Sequence, residues 1–109
     1  MENLRMDGIY YYHATDKNLY FAYKFRENGV LSFAFKSLDT ETIQQAMRFP
    51  ARGSYVPKGK SRMKIVFTRE TTIYANIKEG DTLDIVITTE YGDDLPERRI
   101  YEFMPLDNE

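Results

Sequence analysis

The stretch KFRENGVLSF, residues 24–33, decides the fold of this chain. Within it, Asn28 and Gly29 lie between two runs of alternating apolar residues, a pattern that indicates a β-hairpin. A three-residue loop that ends in Gly29 brings Phe25 opposite Leu31, so that the large apolar side chains of both strands share one face. We therefore predict this loop, with Gly29 in a left-handed bulge where the absence of a Cβ is an advantage.

Two other glycines occupy the corresponding position of predicted hairpins, Gly59 in VPKGKS and Gly80 in IKEGDTL. Between these hairpins, the segment TRETTI needs a loop of odd length as well, although it contains no glycine. Loops of odd length keep the apolar side chains of neighbouring strands on a common face, because side chains alternate along a strand. The facing pairs that these loops predict are Tyr55–Ser61, Phe67–Ile73 and Ile73–Ile85.

Eight short strands and one helix follow from the apolar alternation and the turn residues. The helix, at 40–48, has Asp39 as its N-cap and ends before Pro50. A long meander of hairpins must hide its edges, so we predict one all-β domain over residues 1–109, an antiparallel up-and-down eight-stranded barrel with the helix between strands 3 and 4. The alternative is a two-sheet β-sandwich of the same strands. The predicted strands are 7–14, 19–26, 30–37, 52–56, 60–68, 72–78, 81–90 and 98–104.

Composition excludes several classes of protein. Apolar residues make up 42% of the 109 residues, which is enough for a packed core. The absence of cysteine rules out disulfides, thiol chemistry and cysteine-ligated zinc. A net charge of −2 provides no field that attracts nucleic acid or an anionic membrane. Because no signal-peptide pattern or membrane-spanning run is visible, we predict a cytoplasmic protein without a membrane partner.

No group of residues predicts catalysis or metal binding. His13 is the only histidine, and no nucleophile motif or second metal ligand accompanies it, so we interpret it as a structural or exposed strand residue. Asp93 and Asp94 stand in the loop YGDDLPE, which lacks the spaced oxygen ligands of a calcium loop. We therefore predict no enzymatic activity, no cofactor and no metal site.

Basic residues concentrate in the middle of the chain, where 48–69 contains no acidic residue. Arg62 and Lys64 alternate with apolar residues and are predicted on the outer face, together with Tyr74. Such a patch suits an anionic partner, nucleic acid included, but cross-strand charge pairing is the interpretation that the net negative charge favours.

Several segments resemble small lipocalin-like (calycin) domains. They are the Gly-x-Tyr that opens the first strand at 8–10, YKFRENGVLSFAF at 23–35, GSYVPKGKSRMKIVF at 53–67 and IYEFMPLD at 100–107. The resemblance spans most of the chain. It implies an eight-stranded barrel that binds a small, largely apolar ligand.

Two functions follow from the predicted faces. The first is a non-enzymatic binding module that holds a small apolar or aromatic ligand inside the barrel. The second is a protein-interaction or homodimerisation module with a filled core, which acts through its outer face unless the helix covers that face. The predicted ligand-binding residues are Tyr11, Tyr23, Phe33, Tyr55 and Met63, and the predicted interface residues are Tyr10, Tyr12 and Tyr20.

Overall fold

A computed structural model describes residues 4–67, 71–78, 82–89 and 97–106. Within these ranges the chain forms a curled antiparallel sheet and one short helix, which confirms the prediction of an all-β, barrel-like fold with a helix after the third strand. The bulge predicted at Gly80 and the loop with Asp93 and Asp94 lie outside the described residues. The strands are β1 (Gly8–Ala14), β2 (Leu19–Arg26), β3 (Gly29–Phe35), β4 (Ala51–Pro57), β5 (Arg62–Val66), β6 (Thr71–Lys78), β7 (Thr82–Thr89) and β8 (Glu97–Pro105), and the helix is α1 (Thr40–Ala46).

The strands follow one another around the sheet in chain order. Each pairs antiparallel with the next, and β8 also pairs with β1. In that last ladder, Gly8 lies opposite Pro105 and Ile9 opposite Met104. The backbones approach so closely there that a Cβ on Gly8 would stand 2.1 Å from the carbonyl oxygen of Met104.

Helix α1 begins where its sequence predicts. Asp39 Oδ1 accepts a hydrogen bond from Thr42 N at 2.8 Å, and its Oδ2 accepts one from the Thr42 hydroxyl at 2.8 Å. The backbone N–H of Thr42 is thereby satisfied, and these bonds hold the pKa of Asp39 below its usual range. The helix ends at Ala46, two residues before the predicted end, and it buries Ile43 completely.

The inner face of the sheet is filled by aromatic and aliphatic side chains. Tyr10 meets Phe25 edge-on, with 5.7 Å between ring centroids, and Tyr23 lies 5.1 Å from Tyr101. Met63 and the isoleucines of β5 and β6 pack against these rings. The buried members of this inner cluster are Tyr10, Tyr23, Phe25, Val30, Met63, Ile65, Ile73, Ala75, Ile77 and Tyr101.

A second apolar cluster lies on the outer face, where α1 covers the sheet. Ile43 is the helix residue at its centre. Because α1 covers this part of the sheet, β1, β2 and β3 carry apolar side chains on both of their faces. The buried members of this outer cluster are Ile9, Ala22, Phe33, Phe35 and Ile43, and Tyr11 and Tyr20 pack against them.

The register of the β2–β3 hairpin differs from the prediction by one residue. Arg26 lies opposite Gly29, so the loop has two residues, and Phe25 faces Val30 instead of Leu31. The predicted pairing of Phe25 with Leu31 is therefore wrong. Gly29 has a φ of 158°, and a Cβ there would stand 2.7 Å from the carbonyl oxygen of Gly53, so the close approach of β4 requires glycine.

The later hairpins also differ from the prediction, but by even numbers of residues. Tyr55 lies opposite Ile65, Ile65 opposite Ile73, and Ile73 opposite Ile87. The pairs Tyr55–Ser61, Phe67–Ile73 and Ile73–Ile85 are wrong. An even shift leaves every side chain on its predicted face, because the side-chain period of a strand is two residues.

Candidate ligand-binding site

The structure separates the five predicted ligand-binding residues. Tyr23 and Met63 belong to the inner cluster, and Tyr55 packs against it. Tyr11 and Phe33 lie on the outer face, so their predicted inward orientation is wrong. The one-residue shift of the β2–β3 hairpin turns Phe33 outward, because Tyr23 faces Ser32 in the observed register.

The three predicted interface residues are separated as well. Tyr10 is fully buried in the inner cluster, and Tyr12 stacks on Tyr101 with 5.6 Å between ring centroids, so their predicted outward orientation is wrong. Tyr20 lies outside as predicted, stacked between His13 at 4.3 Å and Phe35 at 5.4 Å. In β1 and β3 apolar contacts cover both faces, so side-chain alternation does not decide which face points inward.

Packed rings occupy the space in which the sequence predicts a ligand. Tyr10 and Phe25 are fully buried there, and Phe25 also meets Tyr55 edge-on at 5.4 Å. Burial raises the pKa of Tyr23, and the neighbouring Tyr101 raises it further, so Tyr23 stays neutral. In the described part of the chain, every buried side-chain nitrogen or oxygen has a hydrogen-bond partner. The inner face is thus a satisfied core.

A pocket of about 410 Å³ opens at the end of the sheet, beside the β2–β3 turn. We call it the rim pocket. One wall is the segment before β1, the second is the β2–β3 turn, and the third is β4. Its lining residues are Leu4, Met6, Glu27, Asn28, Gly29, Ser54, Tyr55 and Pro57.

Polar contacts hold the first wall of the rim pocket in place. Arg5 forms an ion pair with Asp7 at 2.8 Å, and its backbone N–H donates to the Tyr10 hydroxyl at 3.1 Å. Lys24, only 3% exposed, donates from Nζ to the carbonyl oxygen of Met6. The backbone of this segment is therefore bonded to β1 through Arg5 and to β2 through Met6.

Tyr55 forms the base of the rim pocket. Its hydroxyl donates to the carbonyl oxygen of Arg26 at 2.9 Å, while its ring rests on Phe25. Partial burial raises the pKa of Tyr55, and the charge of Glu27 raises it further. The phenol is therefore neutral at physiological pH. Tyr55 lines the pocket and also contacts Phe25 of the inner cluster. Tyr55 is the only predicted ligand-binding residue that lines the rim pocket.

A smaller pocket of about 130 Å³ adjoins the rim pocket, and both are lined by Asn28 and Gly29. We call it the arginine pocket, because Arg26 and Arg52 stand on its rim. It lies on the outer face, where Leu31 pairs with Arg52. Its lining residues are Arg26, Asn28, Gly29, Val30, Leu31, Arg52 and Gly53.

The basic residues of β5 lie on the outer face, away from both pockets. Lys64 pairs with Tyr74, which confirms the prediction that these two share a face, and the Arg62 guanidinium lies 4.9 Å from the Tyr74 ring centre. A role of Arg62 and Lys64 in binding an anionic partner stays a prediction.

Among the described residues, no three histidine, cysteine, aspartate or glutamate side chains cluster closely enough to hold a metal ion. Within those ranges, no helical segment has the length and apolar character that a membrane span requires.

The sequence signals for the rim pocket are weak for a physical reason. Half of its lining residues belong to the β2–β3 turn or to the segment before β1, where side-chain alternation carries no information. Comparisons with protein-family models, with curated proteins and with solved structures find no match for this chain.

Proposed function

We propose that this protein is a non-enzymatic binding module, a lipocalin-like domain whose sheet closes as an eight-stranded barrel and holds a small, largely apolar ligand in the rim pocket. The rim pocket is the observation that supports this function. Its volume of about 410 Å³ falls in the range of small-molecule sites, roughly 300–1,000 Å³. The ligand is placed at the end of the barrel because aromatic side chains fill the interior.

The lining combines apolar and polar groups and fits a molecule that carries both. Leu4, Met6, Tyr55 and Pro57 provide apolar surface, while Asn28 and Ser54 offer hydrogen-bonding groups. Burial of apolar ligand surface contributes about 25 cal/mol per Å². Two hydrogen bonds, from Lys24 to the Met6 carbonyl oxygen and from the Arg5 N–H to the Tyr10 hydroxyl, already order the segment before β1. Little conformational entropy of this wall is therefore lost when a ligand binds.

A fluorescence titration with N-phenyl-1-naphthylamine tests this proposal, because this neutral probe brightens in apolar sites. The probe should bind saturably to the wild-type protein. Ser54→Trp should weaken binding by about tenfold or more, since the indole fills the rim pocket. Val56→Trp is the matched control, on the same strand and outer face but outside the lining, and should leave affinity within about twofold.

Two results would contradict the proposal. One is the absence of saturable binding to the wild-type protein. The other is equal affinity of Ser54→Trp and Val56→Trp, which would place the probe elsewhere. Thermal melts of both variants establish that each is folded at the titration temperature.

A second candidate function is self-association or binding of another protein through the outer face. Phe49 supports it, since this ring is 91% exposed beside α1, and Leu38 at the other end of the helix is 39% exposed. Tyr20 lies on the same face.

Size-exclusion chromatography with light scattering tests the homodimer form of this candidate. We expect the wild-type protein to be a dimer and the Phe49→Asp variant to be a monomer, because a charge at the centre of an apolar contact is costly to bury. A wild-type protein that stays monomeric across the concentration range would contradict self-association.

A further inference from the structure

We propose that the ligand of the rim pocket is an amphipathic organic anion, whose carboxylate or other acidic group is bound in the arginine pocket by Arg26 and Arg52. This inference rests on the proposed function and specifies the class of ligand. An apolar body would occupy the rim pocket, and the acidic group would lie on the other side of Asn28 and Gly29.

The two pockets are neighbours, which is the first support. Both Asn28 and Gly29 line each of them, so a single molecule spans both by passing over the β2–β3 turn. Gly29 presents no side chain along that path. The close approach of β4 at Gly53 brings the turn and the strand together, so Arg26 on β2 and Arg52 on β4 flank the start of β3 from its two sides.

The charges provide the second support. Arg26 stands at the end of β2 and Arg52 near the start of β4, and both are exposed on the outer face. Over the described part of the chain, neither Arg26 nor Arg52 has an acidic side chain within ion-pair distance. A guanidinium presents its N–H groups in a planar fork that matches a carboxylate, so two of them form an anion site.

The position of Glu27 gives the ligand an orientation. Glu27 lines the rim pocket and is absent from the lining of the arginine pocket. Its carboxylate repels an anion in the rim pocket, while Arg26 and Arg52 attract one on the other side of the turn. The charge pattern therefore favours an apolar body in the first pocket and an acidic group in the second.

A matched pair of probes measures the contribution of the acidic group. 1-Anilinonaphthalene-8-sulfonate has the same ring system as N-phenyl-1-naphthylamine and adds a sulfonate, so the ratio of their affinities reports on anion recognition. In the double variant Arg26→Gln/Arg52→Gln, the ratio of sulfonate-probe affinity to neutral-probe affinity should fall about tenfold, while neutral-probe affinity stays within about twofold. The wild-type ratio should also decrease with added sodium chloride, because salt screens exposed charges.

The control is Arg62→Gln/Lys64→Gln, which removes the same charge from β5 on the same outer face. Its probe ratio should stay within about twofold of the wild-type ratio, because these residues line neither pocket. An equal fall in both double variants would indicate a general charge effect and overturn the anion site.

Failure of this inference differs from failure of the proposed function. An unchanged probe ratio in Arg26→Gln/Arg52→Gln, with neutral-probe binding still weakened by Ser54→Trp, overturns the anion site and leaves the rim pocket supported. Absence of neutral-probe binding to the wild-type protein overturns the proposed function and this inference together.

Discussion

Phe25→Ala should lower the free energy of unfolding by about 3–5 kcal/mol, as expected for the loss of a buried phenylalanine. Phe25 is fully buried, and its ring meets Tyr10 at 5.7 Å and Tyr55 at 5.4 Å between centroids. Alanine would leave a cavity between rings that are held by their own partners and close only in part. Urea unfolding followed by circular dichroism measures the change.

Phe49→Ala provides the matched control, with the same side chain removed from a site that is 91% exposed. Its effect should stay within about 0.5 kcal/mol. If Phe25→Ala does not fold, Phe25→Leu should still lower the free energy of unfolding by about 1–2 kcal/mol. Equal effects at Phe25 and Phe49 would contradict the inner cluster as the centre of the core.

Gly8→Ala should destabilise the protein by about 3 kcal/mol or more, the upper range for overpacking. The new Cβ would stand 2.1 Å from the Met104 carbonyl oxygen and 2.7 Å from the Pro105 Cα. Both atoms belong to the backbone, so no rotamer change relieves the contact and the β1–β8 ladder must separate. Amide hydrogen exchange in β1 and β8 should therefore accelerate together with the loss of stability.

Gly59→Ala is the control for Gly8→Ala, because a Cβ on Gly59 has no atom within 4 Å. Its cost is confined to backbone strain at a φ of 157°, on the order of 1 kcal/mol. A Gly8→Ala protein that is no less stable than Gly59→Ala would contradict the pairing of the first and last strands, and with it the proposed closure of the barrel.

The faces of β4, β5 and β6 could be predicted because one side of the sheet is apolar and the other polar there. Met63 and Ile65 are buried, while Arg62, which precedes Met63 on β5 and faces the other side of the sheet, is exposed. Such alternation fixes the face even where the register is wrong, since the observed shifts are even. What the alternation cannot fix is loop length, which depends on the conformation of a few turn residues.

The faces of β1 and β3 could not be predicted from alternation, whereas the faces of β2 were predicted correctly. The segment GIYYYHA offers apolar side chains at successive positions, so Tyr10 and Tyr11 are equivalent by this criterion. The deciding factor is α1, whose Ile43 buries the outer face and makes it as apolar as the inner one. A contact between elements distant in sequence therefore determines which rings fill the interior.

The candidate site was predictable only at Tyr55, because that residue belongs to a strand with a clear inner face. The wall that contains Leu4 and Met6 depends on where the segment before β1 lies. Its position is set by the contact of Lys24 with the Met6 carbonyl and by the Arg5–Tyr10 hydrogen bond. These are contacts between a strand and an irregular segment, and no local sequence pattern specifies them.

Pairing of the first strand with the last has a consequence for folding kinetics. The other ladders join strands that are consecutive in the chain, and the hairpins among them form early because short loops close at little entropic cost. Gly8 and Pro105 have almost the whole chain between them, so their ladder forms after the sheet has curled. Until then, β1 and β8 present open edges on which a second copy can assemble. Aggregation therefore occurs most readily before β1 and β8 pair. A substitution that slows this pairing should increase aggregation even when every hairpin is unchanged.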